Sequence, residues 1–136
     1  MKKFYVIRGV PGCGKTKLAE HLRLIYTELE KIVVICEAND YFTRNGEYAY
    51  SPSLLPKAHE ECRNRVISSM QGEVDVIILT NTSTRFWEFE EYINLAKEFG
   101  YDCTVLVAEN YHGGKSPHNV PEEKLNTMRR RFDLNL

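Results

Sequence analysis

The chain has 136 residues, 43% of them apolar and 27% charged, and a formal net charge of −1. That is enough for one domain (1–136) with a real core, and the composition excludes a disordered, collagen-like or membrane-spanning chain. The near-zero charge excludes a global pull toward nucleic acid or anionic membrane, so any such partner would need a local basic site.

In chain order, KFYVIR (3–8) reads as a buried strand that stops at Gly9. The apolar stretch ends at Arg8, too soon for a secretory leader, so a cytoplasmic location is expected. From 15 to about 30, Leu18, Leu22, Ile25, Tyr26 and Leu29 recur at helical spacing. KIVVICE (31–37) reads as a second buried strand. Asn45-Gly46 signals a turn, and a helix over about 53–71 follows, with Leu55, Ala58, Cys62, Val66 and Met70 on one face and Gly72 to stop it.

VDVIILT (74–80) is the third strand, and the next segment a helix capped by Ser83 or Thr84 and ended by Gly100. Its inner face is expected to be Phe89, Ile93, Ala96 and either Phe86 or Tyr92. YDCTVLVA (101–108) is a fourth strand, and Pro121 opens a last helix at its first position. Strands alternating with helices imply parallel pairing with crossovers, hence a small α/β three-layer sandwich of about four parallel strands with helices on both faces. The four cysteines form neither a CxxC pair nor a zinc pattern and read as reduced thiols.

GVPGCGKT (9–16) satisfies G-x-x-x-x-G-K-[ST] in the context that motif requires, a strand before and a helix after. Such a loop turns backbone N–H groups inward around phosphate, and the helix start adds its positive end. Gly9, Pro11, Gly12, Cys13, Gly14, Lys15 and Thr16 are therefore the expected nucleotide-binding set, with Lys15 on the β/γ oxygens and Thr16 on Mg²⁺. A nucleoside triphosphate is the expected ligand. Cys13 reads first as a small residue the loop needs, although a helix start could favour its thiolate.

Around this loop the residues resemble the P-loop kinases related to the kinase half of phage polynucleotide 5′-kinase and to similar eukaryotic domains. The resemblance runs through NDYF (39–42), the segment NGEYAYSPSLLPKAHEEC, NTST (81–84), AKEFGYD (96–102) and HNVPEEKLNTM (118–128), nearly the whole chain. It implies transfer of the ATP γ-phosphate, with Mg²⁺, to a hydroxyl, commonly the 5′-hydroxyl of a nucleic acid or nucleoside. By that resemblance Asp40 assists acceptor or metal, with Glu37 the nearest alternative carboxylate, and Lys115 falls where the family has a lid arginine.

Three departures accompany it. Asn39 stands where the family has the aspartate expected to take the acceptor's proton, a loss typically worth about 10² to 10⁴ in rate. Thr80 and Asn81 stand where relatives place acids. Phe42 replaces an arginine expected to grip the acceptor phosphate, with Arg44 two positions on. The departures leave a second reading, a nucleotide-binding module with little or no transfer. His59 and His118, the run Arg129 to Arg131, and the set Phe86, Trp87, Phe89 and Tyr92 read as structural or solvated rather than functional.

Overall fold

The computed structural model describes residues 1–44, 46–108 and 120–132. Lys115 and His118 lie outside them, as does Asn45; of Arg44 only the backbone is described. The main elements are β1 (Lys3–Arg8), α1 (Lys15–Glu28), β2 (Val33–Cys36), a 3₁₀ turn (Ala38–Phe42), β3 (Thr43–Arg44), β4 (Glu47–Tyr48), α2 (Leu55–Gln71), β5 (Val76–Leu79), α3 (Phe86–Glu98), β6 (Asp102–Val107) and α4 (Glu122–Arg130). Four strands form a parallel sheet in the order β2-β5-β1-β6.

Period-two alternation sorts the two faces of the sheet. Phe4 and Val6 of β1, Cys36 of β2, and Ile77 and Leu79 of β5 turn to one side. There they meet Ala58, Cys62, Val66 and Met70 of α2 and Phe89, Tyr92 and Ala96 of α3. The intervening residues Tyr5, Ile7, Val76 and Ile78 turn to the other side, where Leu18, Ala19, Leu22 and Tyr26 of α1 cover them. Helices thus pack on both faces, as the alternating pattern requires.

Burial on both faces also explains why these strands lack a polar side in sequence. The strands expected at 31–37 and 74–80 are shorter, Val33–Cys36 and Val76–Leu79, losing two residues at each amino end and one at each carboxyl end. A third cluster lies at those ends: Leu125 and Met128 of α4 pack on Val10 and Cys13 of the loop after β1.

Several local expectations need correction. Ile25 and Leu29 face solvent, because α1 contacts the sheet through the narrower stripe of Leu18, Ala19, Leu22 and Tyr26. The TRNGEY segment is more than a turn: β3 and β4 pair as an antiparallel hairpin, Thr43 opposite Tyr48. Neither Ser83 nor Thr84 caps α3. Arg85 takes the cap position in extended backbone, while Ser83, at φ 50, and Thr84 are buried. Gly72 keeps a negative φ and Glu73, at φ 56, makes the left-handed exit of α2, whereas Gly100, at φ 75, ends α3 as expected. Pro121 is the flanking cap of α4, which starts at Glu122.

Arg8 was read only as the end of an apolar run, yet it is 1% exposed. Its guanidinium lies 4.6 Å from the Phe89 ring centroid and 4.4 Å from that of Phe132. Nε donates to Ser83 O at 2.8 Å and Nη2 to Thr84 O at 3.1 Å. A planar cation suits such a slot because its faces accept aromatic rings while its edges donate. Arg8 thereby ties the β5–α3 loop to the end of β1.

Two substitutions test this packing. Phe89→Ala should cost about 3–5 kcal/mol in urea unfolding, the usual range for a buried aromatic. Ile25→Ala on the solvent face of α1 should change stability by less than about 0.5 kcal/mol.

Candidate nucleotide site

The carboxyl ends of parallel strands are where open α/β sheets bind ligands, since loops diverge there. Register places the ends of β1, β2 and β5 side by side. Thr80 N–H donates to Cys36 O at 3.1 Å and Gly9 N–H to Thr82 O at 3.1 Å. Three loops thereby start from one edge: 9–14, 37–42 and 80–85.

In the first loop Gly12 and Gly14 have φ of 85° and 100°, values a side chain would strain. Gly14 is the cap of α1, and Leu18 N–H donates to its carbonyl at 3.0 Å. Gly9 is required for space: a Cβ there would come within 2.2 Å of Cys13 Sγ and 3.0 Å of Ala108 O. Cys13 is buried beneath the loop against Leu125 and Met128, which fits the small-residue reading.

Lys15, 8% exposed, curls under the loop. Its Nζ donates to Gly9 O at 2.8 Å and Val10 O at 3.3 Å, with Cys13 Sγ at 4.0 Å. Burial lowers its pKa, opposed by the nearby Cys13 and Glu37.

Above the loop lies a cleft of 810 Å³. Pro11, Gly12, Gly14, Lys15 and Thr16 line it, so most of the expected binding set converges, while Gly9 and Cys13 sit beneath the loop rather than on the cleft wall. Glu37, Asn39, Thr80 and Asn81 form the adjoining wall. Asp40 is not on that wall. It faces Arg65, whose Nη1 donates to Asp40 Oδ2 at 3.3 Å while Nη2 holds Ile35 O at 3.1 Å. The 3₁₀ turn explains the swap, because it rotates Asn39 toward the cleft and Asp40 toward α2.

Glu37, the alternative carboxylate, is the one that reaches the site. Thr80 Oγ1 donates to its Oε2 at 3.4 Å. Burial pushes its pKa up, aided by the Asp40 charge and opposed by Lys15, Thr80 and Asn39. Asn81, where relatives have an acid, has a structural task here: its Oδ1 accepts from Ala38 N–H at 2.8 Å and its Nδ2 donates to Cys62 Sγ at 3.8 Å. Asp75 sits at the opposite end of β5, accepting from Ile32 N–H at 2.8 Å.

The cleft also has aromatic lining. Tyr48 and Tyr50 of the hairpin segment stack at 6.4 Å with an interplanar angle of 7°. Trp87, 74% exposed, joins the lining together with His59. Of the aromatic set read as core, Phe89 and Tyr92 are buried and Phe86 packs on them, but Trp87 is on the cleft. Arg131 also departs from the solvated reading: its Nε donates to Thr84 Oγ1 at 3.0 Å, while Arg129 turns outward to Glu122. The hairpin tyrosines and Lys124 lie in segments that carry the resemblance, and Arg131 in the basic run, but only tertiary structure gathers them at one cleft.

The donor chemistry suits Mg²⁺. This ion takes oxygen ligands and is usually held by one or two protein groups together with substrate phosphates. The Thr16 hydroxyl and Glu37 carboxylate supply such oxygens on the lining of the same cleft. No cluster of three or more His, Cys, Asp or Glu that could hold a metal ion occurs among the described residues.

Glu37 also fixes a pH dependence. Because its folded pKa lies above the unfolded value, the folded state binds that proton more tightly. The contribution is complete below the unfolded pKa of about 4.3 and is lost as pH rises through the folded pKa. Glu37→Gln should therefore exceed the parent in stability at about pH 8, with the gap closing toward about pH 4 in paired urea titrations. A gap that widens toward acid would contradict the assignment.

Comparison with known proteins follows the same lines. A family model described as AAA domain matches residues 5–135. NEDD4-binding protein 2 of Homo sapiens is 30% identical over 130 residues, covering 90% of this chain but 7% of the human protein. Among solved structures, Kti12 of Chaetomium thermophilum in complex with ADP-AlF3 superposes with TM-score 0.63 at 11% identity, over 96% of this chain and 80% of that one. A chain of the Pnkp1/Rnl/Hen1 complex gives 0.61 at 20% identity, over 99% and 40%. The APS kinase CysC of Mycobacterium tuberculosis gives 0.59 at 11% identity, over 96% of both chains. No helix among the described residues is long and apolar enough to cross a membrane. The chain belongs to the AAA domain family and carries its P-loop kinase-like fold.

Proposed function

We propose that this domain binds ATP with Mg²⁺ and transfers the γ-phosphate to a hydroxyl acceptor, a nucleoside or polynucleotide 5′-hydroxyl being the class the resemblance implies. The carrying observation is that Lys15, Thr16 and Glu37 line the same cleft as the rings of Tyr48, Tyr50 and Trp87. A phosphate cradle beside an aromatic wall suits a triphosphate tail next to a ring-bearing acceptor.

In the reaction the acceptor oxygen attacks the γ-phosphorus and the bond to the β–γ bridging oxygen breaks. ADP leaves with the electron pair, and the hydroxyl proton passes to water. Loop N–H groups and the α1 terminus hold the phosphates, and the Lys15 ammonium leaves its carbonyl partners to offset their charge. Thr16 and Glu37 would hold Mg²⁺, which when bound neutralises phosphate charge. Glu37 takes the part the resemblance gave to Asp40, whose ion pair with Arg65 keeps it on α2. Lys115 is proposed as the cation that closes over the transferring group. Asn39 can orient the hydroxyl through its amide oxygen but cannot accept its proton.

Phosphoryl transfer depends mainly on positioning and charge, so loss of the base slows it without abolishing it. The second reading, a nucleotide-binding module with little transfer, is favoured by Asn39, Thr80 and Asn81, three cleft residues at positions where the resemblance implies acids. γ-Labelled ATP with a panel of 5′-hydroxyl oligonucleotides and nucleosides tests both. The parent should transfer label slowly, and Asn39→Asp should raise the rate about 10²-fold. Label moved only by Asn39→Asp would support the binding module, and none by either would overturn the kinase reading.

A further inference from the structure

Four residues of the α4 segment line the cleft at helical spacing: Pro121, Lys124, Met128 and Arg131. Steps of three and four residues place them on one stripe of the helix. Met128 and its neighbour Leu125 pack on Val10 and Cys13, so the stripe is anchored directly to the loop that holds Lys15. Two cations stand on it.

Lys124 Nζ lies 5.8 Å from the Tyr50 ring centroid, on the side of the aromatic wall. Arg131 Nε rests on Thr84 Oγ1 at 3.0 Å, and Thr84 in turn donates to Glu88 Oε1 at 2.9 Å. The other basic residues of α4 face elsewhere: Arg129 pairs with Glu122, and Arg130 donates to Thr127. Neither Lys124 nor Arg131 has a carboxylate partner among the described residues. Their neighbours are a ring face and a hydroxyl, contacts that leave most of the charge unmatched.

Resting on the reading of the cleft given above, we propose that Lys124 and Arg131 form a second cationic wall that binds phosphoryl oxygens entering opposite Lys15. The shared chemistry is a phosphate oxygen, supplied either by the nucleotide tail or by a phosphate on the acceptor. Arg131 offers a planar fork and Lys124 a mobile point charge, so the first orients an oxygen pair and the second follows a moving group.

The test uses the full chain and three variants, Lys124→Met, Arg131→Met and Thr84→Val, with Lys15→Met as reference. Calorimetry with Mg-ATP reads the nucleotide source; a 5′-hydroxyl oligonucleotide titrated in the presence of a non-hydrolysable ATP analogue reads the acceptor source. Loss of a charge-assisted hydrogen bond should weaken one of these by about tenfold or more in each of the two cation variants. Thr84→Val, which keeps both cations and removes the hydroxyl that Arg131 and Glu88 share, should bind within about twofold of the parent; a tenfold loss there would mean that Arg131 acts by holding Thr84, and would overturn the proposal. Parent-like affinity for both probes in Lys124→Met and Arg131→Met, with Lys15→Met impaired, would overturn it while sparing the cradle. A parent that binds no nucleotide would remove the cradle reading and this proposal together.

Discussion

A lysine ammonium withdrawn from water and held by backbone carbonyls is the constraint around which this site is organised. Burying such a charge is costly unless it is hydrogen-bonded, and Gly9 O and Val10 O supply the bonds. Those carbonyls point inward only because Gly12 and Gly14 bend the chain through left-handed conformations before α1 begins. In phosphate-binding loops of this kind, successive N–H groups are the part that meets the anion. Burial lowers the lysine's proton affinity, and Glu37 lies close enough to oppose that shift. An arriving polyphosphate would exchange two carbonyl contacts for charged oxygens, a stronger partnership in the same enclosed setting.

The departures at Asn39, Thr80 and Asn81 acquire a physical sense in this frame. Thr80 and Asn81 both have hydrogen-bond partners that hold neighbouring loops together, Thr80 on Glu37 and Asn81 across to Ala38 and Cys62. An aspartate at Thr80 would set a second carboxylate against the half-buried Glu37, raising the cost of ionising either. The chain instead keeps Glu37 as the carboxylate beside Thr80, in a cleft that Glu88 and Glu91 also line, and places Asp40 on Arg65. Under the proposed function, this arrangement leaves Glu37 to help hold a metal–phosphate group, while the Asn39 amide takes up no proton.

Much of this was legible from residue order. The loop 9–16, the four strands and the burial of Ala58, Cys62, Val66 and Met70 follow from local pattern, because strand context and helical period depend on neighbours in sequence. What escaped depends on neighbours in space. The Arg8 slot needs Phe89 and Phe132, each far along the chain, to meet on either side of one guanidinium. Whether Glu37 or Asp40 faces the cleft turns on a short 3₁₀ segment that no periodicity announces. Ile25 and Leu29 match the helical spacing yet face solvent, since spacing gives a stripe but not its width.

The central claim is that the Lys15 ammonium and the surrounding amides capture a triphosphate. Isothermal calorimetry with inorganic tripolyphosphate and Mg²⁺ isolates that capture from any contact with base or sugar. Saturable heat in the parent, reduced at least about tenfold in affinity by Lys15→Met, is the expected result. Equal affinity in the two proteins, or no heat in the parent, would contradict it.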